Sequence, residues 1–439
     1  MNNNMIIDID DKPKKILQWV LLSLQHFFAM FCANTLISLL VFASYDLVPA
    51  ALISAGIGTI VYLFITKFRS PIFLGSSAGL IGVMSAGFTI LGSKSNYLGL
   101  IIGLAFIGLL YPVVAFIISK VGINWLLRLL PPIVTGPIIM VIGLSLAPFA
   151  VNWSVYNVMN TTGNDIFNIW SFSVAIITML FTAFIACKGK GILKTLPYIS
   201  GIGFGYIIAT IISCVGYASG NILMQLIDFS TFTSIDWVPD FAFIKAINQP
   251  APITWEAVLN IILIAVPISF VTICEHIGDH LNVSNITGRN LLKDPGLSRT
   301  LLGDGIATVL GGVIGGMGNT TYGENSSVIA VSKVASSRVV LTGAIVAILV
   351  GFCAPVMVFV KTIPACIFGA ISLTIYGAIS ISGLKQLQKI DFNDNRNLLI
   401  ASVILVAGVG GLFMQIGSFT FAGVSLAMVL GVILNLILR

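Results

Sequence analysis

Four titratable residues crowd one apolar stretch of the chain: Glu275, His276, Asp279 and His280. On an α-helix, residues four apart share a face and neighbours are turned by about 100°. Glu275 and Asp279 therefore make a doubly acidic face, and His276 and His280 make a second face beside it. Two carboxylates close together in a low-dielectric setting cannot both ionise cheaply, so one of them is available to carry a proton. Two further acids sit in apolar stretches, Asp304 within Gly303-Asp304-Gly305 and Glu324 within Gly318-Asn319-Thr320-Thr321-Tyr322-Gly323-Glu324-Asn325-Ser326-Ser327. Gly323 leaves main-chain groups open beside Glu324. A planar solute whose edge alternates N–H and C=O can then satisfy carboxylate and backbone together. Spacing alone does not name that solute. The residues between His276 and His280 are Ile-Gly-Asp, without the leading Glu of a zinc-protease helix, and no phosphate loop ending in Lys-Ser or Lys-Thr is present. Neither a metal nor a cofactor is expected, and an acidic site suits H+ or Na+ as a coupling ion.

Acids inside apolar runs are costly in lipid and mark function by default, so the elements that carry them matter. The chain is 57% hydrophobic and 9% charged, against about 25% charged in a soluble domain, and it must live in a membrane. A crossing takes about 20 apolar residues. Runs fall near 16–43, 47–66, 71–92, 96–119, 124–148, 166–187, 195–217, 253–285, 298–316, 320–332, 337–360, 364–383, 397–415 and 418–438. If the first run leaves the cytoplasm, every Lys and Arg except Lys94, Lys245 and Lys361 lies inside, as the positive-inside rule requires. Both termini then face the cytoplasm, and residues 1–15, which lack a signal-peptide pattern, read as a cytoplasmic tail. The net charge of +6 is scattered over loops, which argues against a nucleic-acid partner. The six cysteines lack paired spacing and read as small core residues.

Two runs are interrupted. The third opens with Pro71 and Gly75-Ser76-Ser77, and the tenth carries the polar stretch ending in Ser327. Broken backbone at membrane depth is tolerated where it is buried in protein or lines a cavity, and a pair of such breaks in two halves points to a transporter site. The plainer reading is a Gly/Ser helix-packing motif. Gln25-His26 and Ser76-Ser77 recur as Glu275-His276 and Ser326-Ser327 at an offset of 250, and Gly56-Ile57-Gly58-Thr59 resembles Gly305-Ile306-Ala307-Thr308 at an offset of 249. A repeat of seven crossings is inverted because seven is odd. The expected architecture is an all-α polytopic membrane protein of fourteen transmembrane segments in a 7+7 inverted repeat. It divides into 16–217, an extracytoplasmic loop at 218–252, and 253–438.

Glu275-His276-x-Gly278, Asp294-Pro295-Gly296-Leu297 and Asn319-Thr320-Thr321-Tyr322-Gly323-Glu324-Asn325 resemble the nucleobase/ascorbate transporter family, nearest its uracil permease branch, over essentially the whole chain. The resemblance implies a core domain (segments 1–4 and 8–11), a gate domain (5–7 and 12–14) and short strands in segments 3 and 10 that meet at the substrate. It places substrate binding on Glu275, Glu324 and the Gly323 main chain, with Tyr322, Ser77 and Ala78 beside them. Proton coupling falls to Glu275, Asp279, His276 and Glu324, and support to Gln25, His26, Asp304 and Asn325. Asp279 stands where uracil permeases have a histidine, Ala78 where they have an aromatic ring, and Ser327 and Ser332 depart from the signature after Glu324. Glu rather than Gln at 324 favours a pyrimidine over xanthine.

The expected function is therefore secondary active import of uracil with a proton, by alternating access, across an inner membrane. Lipid is the surrounding partner, and a homodimer is left open. A purine carrier of the xanthine or uric acid type, a Na+-coupled nucleobase carrier, and an anion carrier on a similar architecture are the rivals within transport. A channel would need a continuous polar lining and weak multi-site binding. The residues show no nucleophile and base constellation of an enzyme.

Overall fold

Backbone amides in hydrocarbon can bond only to the chain itself, and the apolar runs accordingly fold as helices. The computed structural model describes residues 5–42, 44–89, 96–156, 167–190, 193, 196–233, 235–250, 254–388, 390–416 and 419–438. Lys94, Lys194, Lys389 and Arg439, used above to orient the chain, lie outside these. In chain order the elements are α1 (Ile16–Phe42), α2 (Val48–Ile65), β1 (Leu74–Ser76), a 3-10 turn (Ala78–Leu80), α3 (Ile81–Thr89), α4 (Tyr97–Val121), α5 (Asn124–Leu129), α6 (Pro132–Ser145), α7 (Ala147–Val155), α8 (Ile169–Lys188) and α9 (Pro197–Ser219). Then follow α10 (Ala242–Asn248), α11 (Trp255–Thr287), α12 (Leu297–Gly315), β2 (Asn319–Thr321), α13 (Gly323–Ser332), α14 (Ser337–Gly351), α15 (Ala354–Lys361), α16 (Ala365–Leu387), α17 (Asn395–Val409), β3 (Phe413–Ile416), β4 (Phe419–Ala422) and α18 (Gly423–Ile437).

Among the described residues nine helices are long and apolar enough to cross a membrane, or ten if α14 and α15 count as one span. The difference from fourteen has local causes. The third and tenth runs each spend residues on a strand before their helix starts. The run 337–360 is not straight: α14 and α15 meet at 77°, where Pro355 in the first turn of α15 fits a helix start but not a helix interior. The last two runs meet in an antiparallel hairpin of β3 and β4, which the apolar pattern did not announce. That leaves α17 and α18 with 15 residues each, about 22 Å of helix against a hydrocarbon core of about 30 Å. Large apolar side chains stay exposed on the long helices, among them Phe116, Leu180, Phe184, Ile207 and Ile211, as lipid-facing surfaces require. Cys187 and Cys214 are exposed there too, whereas Cys32 and Cys366 are buried.

Helix α12, which carries Asp304, is wedged between α2 and α4. A Cβ at Gly108 or at Gly305 would lie 2.5 Å from the carbonyl oxygen of the other, so α4 and α12 touch backbone to backbone, as small residues permit in membranes. The start of the chain is docked as well. Ile6 N–H donates to the Lys333 carbonyl at 2.8 Å, Ala335 N–H to that of Ile7 at 2.9 Å and Ser337 N–H to that of Ile9 at 3.1 Å. Ile9 is buried with Tyr62, Leu74 and Val283, while Arg289 pairs with Asp8 at 2.6 Å and Asp10 at 2.8 Å. Apolar contact should dominate this strap. Ile9→Ala is expected to cost about 2–5 kcal/mol and Arg289→Ala about 1 kcal/mol, read by thermal unfolding in detergent; the reverse order would show that charge holds the strap.

Candidate functional site

β1 and β2 pair antiparallel, with Leu74 opposite Thr321, Gly75 opposite Thr320 and Ser76 opposite Asn319. The two short strands expected in the third and tenth runs are thus joined to each other. A two-stranded pair leaves main-chain groups that need partners when buried, and nearby side chains supply them. The Thr59 hydroxyl donates to the Leu74 carbonyl at 3.2 Å and accepts its N–H at 3.0 Å. The Thr308 hydroxyl donates to the Asn319 carbonyl at 2.7 Å, and Asn34 of α1 accepts the Ser76 N–H at 2.9 Å. Ser76 and Ser326, paired by the 250-residue offset, occupy different elements, the first in β1 and the second inside α13.

Each strand turns directly into a helix, and both turns face the acidic side of α11. Ser77 caps the 3-10 turn by accepting the Gly79 N–H at 3.1 Å. A Cβ on Gly79 would lie 3.3 Å from Ser77 Oγ and 3.4 Å from Glu275 Oε2. On the other side, a Cβ on Gly323 would lie 3.4 Å from Asp279 Oδ1, and the Thr321 hydroxyl donates to Asp279 Oδ2 at 2.7 Å. Glu275 thus faces the end of β1, and Asp279 the end of β2. Glu324 stands in the first turn of α13, where free helix N–H groups favour a carboxylate. Glu275, Asp279 and Glu324 are all half-buried.

The histidine face of α11 points the other way, into a dry network. The rings of His276 and His280 are 4.1 Å apart. His276 Nδ1 lies 2.6 Å from Asp304 Oδ2 and its Nε2 lies 3.0 Å from Thr300 Oγ1. The Thr320 hydroxyl donates to the same Asp304 oxygen at 2.9 Å. His280 contacts the His276 carbonyl through Nδ1 at 2.7 Å and the Tyr62 hydroxyl through Nε2 at 2.8 Å, and Tyr62 reaches Ser70 at 2.8 Å. His276, His280 and Asp304 are fully buried. This network ties α11, α12, α2 and β2 together behind the carboxylates.

The remaining candidates divide. Asn325 donates to the His26 carbonyl at 2.9 Å and lies 3.2 Å from His26 Nδ1, fastening α13 to α1. Gln25 is buried, and its Oε1 has no hydrogen-bond partner among the described residues. The Tyr322 ring lies over Gly75, whose Cβ would be 3.0 Å from it, and joins an apolar cluster with Phe31 and Tyr376. Ala78 is half-buried beside Ile81 where the two main apolar clusters adjoin. Thr300, Thr320, Thr321, Tyr62 and Ser70 were not singled out from sequence as partners; Thr320 and Thr321 lie inside the quoted motif, but a threonine in an apolar chain carries no signal of its own. No group of three or more His, Cys, Asp or Glu among the described residues is arranged to hold a metal.

A cavity of about 170 Å³ opens at Glu324, between Phe28 and Ala29 of α1, Pro197 and Tyr198 of α9, and Ser327 and Val331 of α13. A second one, of about 440 Å³, lies between Ile235–Asp240 and the α14–α15 bend and is lined by none of the candidate residues. Charged pairs cross that loop, Lys245 with Asp240 at 3.0 Å and Lys361 with Asp236 at 3.7 Å. Of the acidic candidates, Glu324 lines the smaller cavity.

The profile of the permease family matches residues 17–417. The uracil permease of Bacillus caldolyticus is 40% identical over 99% of this chain and 95% of its own length. The uracil permease of Escherichia coli (strain K12) is 34% identical over 99% and 94%. In fold, the chain is similar to the transmembrane domain of the cyanobacterial bicarbonate transporter BicA, with a TM-score of 0.63 at 13% identity over 97% of this chain and 99% of that one. It is also similar to the murine Slc26a9 anion transporter, with a TM-score of 0.67 at 10% identity over 98% of this chain and 69% of that one.

Proposed function

Because the chain belongs to the nucleobase/ascorbate transporter family of permeases, and is a multi-span membrane transporter rather than an enzyme, we propose that it imports uracil together with a proton by alternating access. The observation that carries this reading is the joining of β1 to β2 in front of α11. It sets Glu275 by the Ser77–Gly79 turn and Asp279 by Gly323, with Glu324 one residue further on. A pyrimidinedione has N–H donors for carboxylates and C=O acceptors for backbone N–H groups, and its two faces need apolar cover. The half-buried carboxylates and the main chain at the two turns are the complement of that edge.

In the same reading the chain has fourteen segments in two inverted repeats, with a core and a gate domain, and both termini on the cytoplasmic side of an inner membrane. The strand tethers support the repeat: Thr59 and Thr308, one on each side of the 249-residue offset, bond the first residue of β1 and of β2 respectively. Segments 3 and 10 are then half-helices whose strands complete their depth. Proton coupling is assigned to Glu275, with Asp279 sharing the acidic face.

Uptake of radiolabelled uracil into proteoliposomes tests this reading. An inward proton gradient is expected to drive accumulation that excess unlabelled uracil blocks and xanthine does not. Folded protein that takes up no uracil would overturn the substrate, and uptake driven by Na+ but not by protons would overturn the coupling ion.

A further inference from the structure

Two sets of helices meet at the Glu324 cavity. α13 packs against α1 and α11, whereas α9 packs chiefly on α8 and α16. The cavity lies in the seam between these sets, and the first turn of α9 forms its far wall through Pro197 and Tyr198. Pro197 in that first turn presets the helix-starting backbone and so fixes the direction in which Tyr198 departs. The Tyr198 ring is half-buried and lines the same cavity as Glu324. Its hydroxyl has no hydrogen-bond partner among the described residues, so no such bond turns it away from the cavity. Phe28 of α1 supplies a second aromatic side chain on the near wall.

A planar heterocycle bound by its edge at Glu324 presents two broad faces, and aromatic side chains cover such faces at small cost in side-chain freedom. We propose that Tyr198 is a substrate-positioning and specificity-determining residue, the contribution of the α8–α9–α16 set to a base held at Glu324. The inference rests on the uracil reading above and goes beyond it, since it adds a wall from outside the acidic motifs. Removing the ring widens the cavity beside Glu324 and so makes room for a larger base.

The test is uracil transport by full-length protein in proteoliposomes, with KM and maximal rate measured separately and xanthine as competitor. Tyr198→Ala is expected to raise the KM for uracil about tenfold, in the range that loss of base–aromatic stacking gives, to leave the maximal rate within about twofold, and to let xanthine compete. Tyr198→Phe is expected to hold KM within about threefold. If the alanine variant does not fold, Tyr198→Leu, which keeps bulk without an aromatic face, is expected to show the same KM shift. Unchanged KM in a folded Ala or Leu variant overturns the proposal, as does a Phe variant that behaves like them. Wild-type protein that carries no uracil overturns the underlying reading instead, so the two failures are distinct.

Discussion

Glu275→Gln is expected to abolish gradient-driven accumulation of uracil while leaving the protein folded. The substitution keeps the size and shape of the side chain, and so spares its neighbours at Ser77 and Gly79, but it removes the carboxylate to which proton exchange is assigned above. The expected magnitude follows from linkage. One pH unit is worth about 1.4 kcal/mol per proton, a factor of ten in an equilibrium, so a one-to-one symporter in a one-unit gradient concentrates its solute about tenfold. A variant that cannot move the proton can at best equilibrate uracil, and the internal-to-external ratio should fall to unity whatever the gradient. Exchange between labelled and preloaded unlabelled uracil separates the two duties assigned to Glu275. Exchange that persists in the Gln variant places Glu275 in coupling, and exchange lost with accumulation places it in binding as well. Accumulation at the wild-type ratio would sink the assignment.

The residues that carry this prediction were legible in the sequence because lipid makes them conspicuous. Glu275, Asp279, Asp304 and Glu324 are acids inside apolar runs, and the cost of placing them there is the signal. The breaks at Gly75-Ser76-Ser77 and Gly318 to Ser327 were legible for the same reason, since hydrocarbon forbids unsatisfied backbone. What fills those bonds was not legible. Thr59 and Thr308 serve the strands from the helices just before them and Asn34 from α1, and a hydroxyl in a membrane helix is inexpensive enough to pass unmarked. Helical spacing placed the two histidines on a face apart from the acids, but it could not show that this face meets Asp304, Thr300 and Tyr62. The bend between α14 and α15 and the hairpin of β3 and β4 were hidden because composition alone does not separate an apolar helix from an apolar strand. The docking of Ile9 was hidden because a short polar segment with one or two apolar residues reads as a tail until its partner surface is known.

Asp304 is the second residue expected to show a large effect, and by a different route. Its Oδ2 accepts the Thr320 hydroxyl and contacts His276 Nδ1, while Oδ1 has no hydrogen-bond partner among the described residues. The carboxyl is therefore the junction where β2, α11 and α12 are held in register, directly behind the strand whose next residue, Thr321, bonds Asp279. Removing the carboxyl leaves the buried Thr320 hydroxyl and His276 ring without that partner, at about 1–3 kcal/mol for each group left unsatisfied. Asp304→Ala is expected to lose that much stability, as a marked fall in the thermal midpoint in detergent, and to lose transport with it. Asp304→Asn keeps the shape and, because both partners meet Oδ2, can keep one acceptor oxygen for them, but it puts a buried amide donor at the Oδ1 place, where the described residues offer no partner, and the side chain must shift to satisfy it. It should fold, and transport should fall at least tenfold because β2 no longer presents Thr321 and Gly323 at a fixed height beside Asp279. A double-mutant cycle with Thr320→Val separates the strand tether from the histidine contact: coupling of about 0.5–3 kcal/mol is expected between Asp304→Asn and Thr320→Val. Additive losses for that pair, with uracil transport unchanged in Asp304→Asn, would mean that β2 keeps its place without the buried carboxyl, and that the pairing with β1 and the Thr308 bond suffice to hold the site.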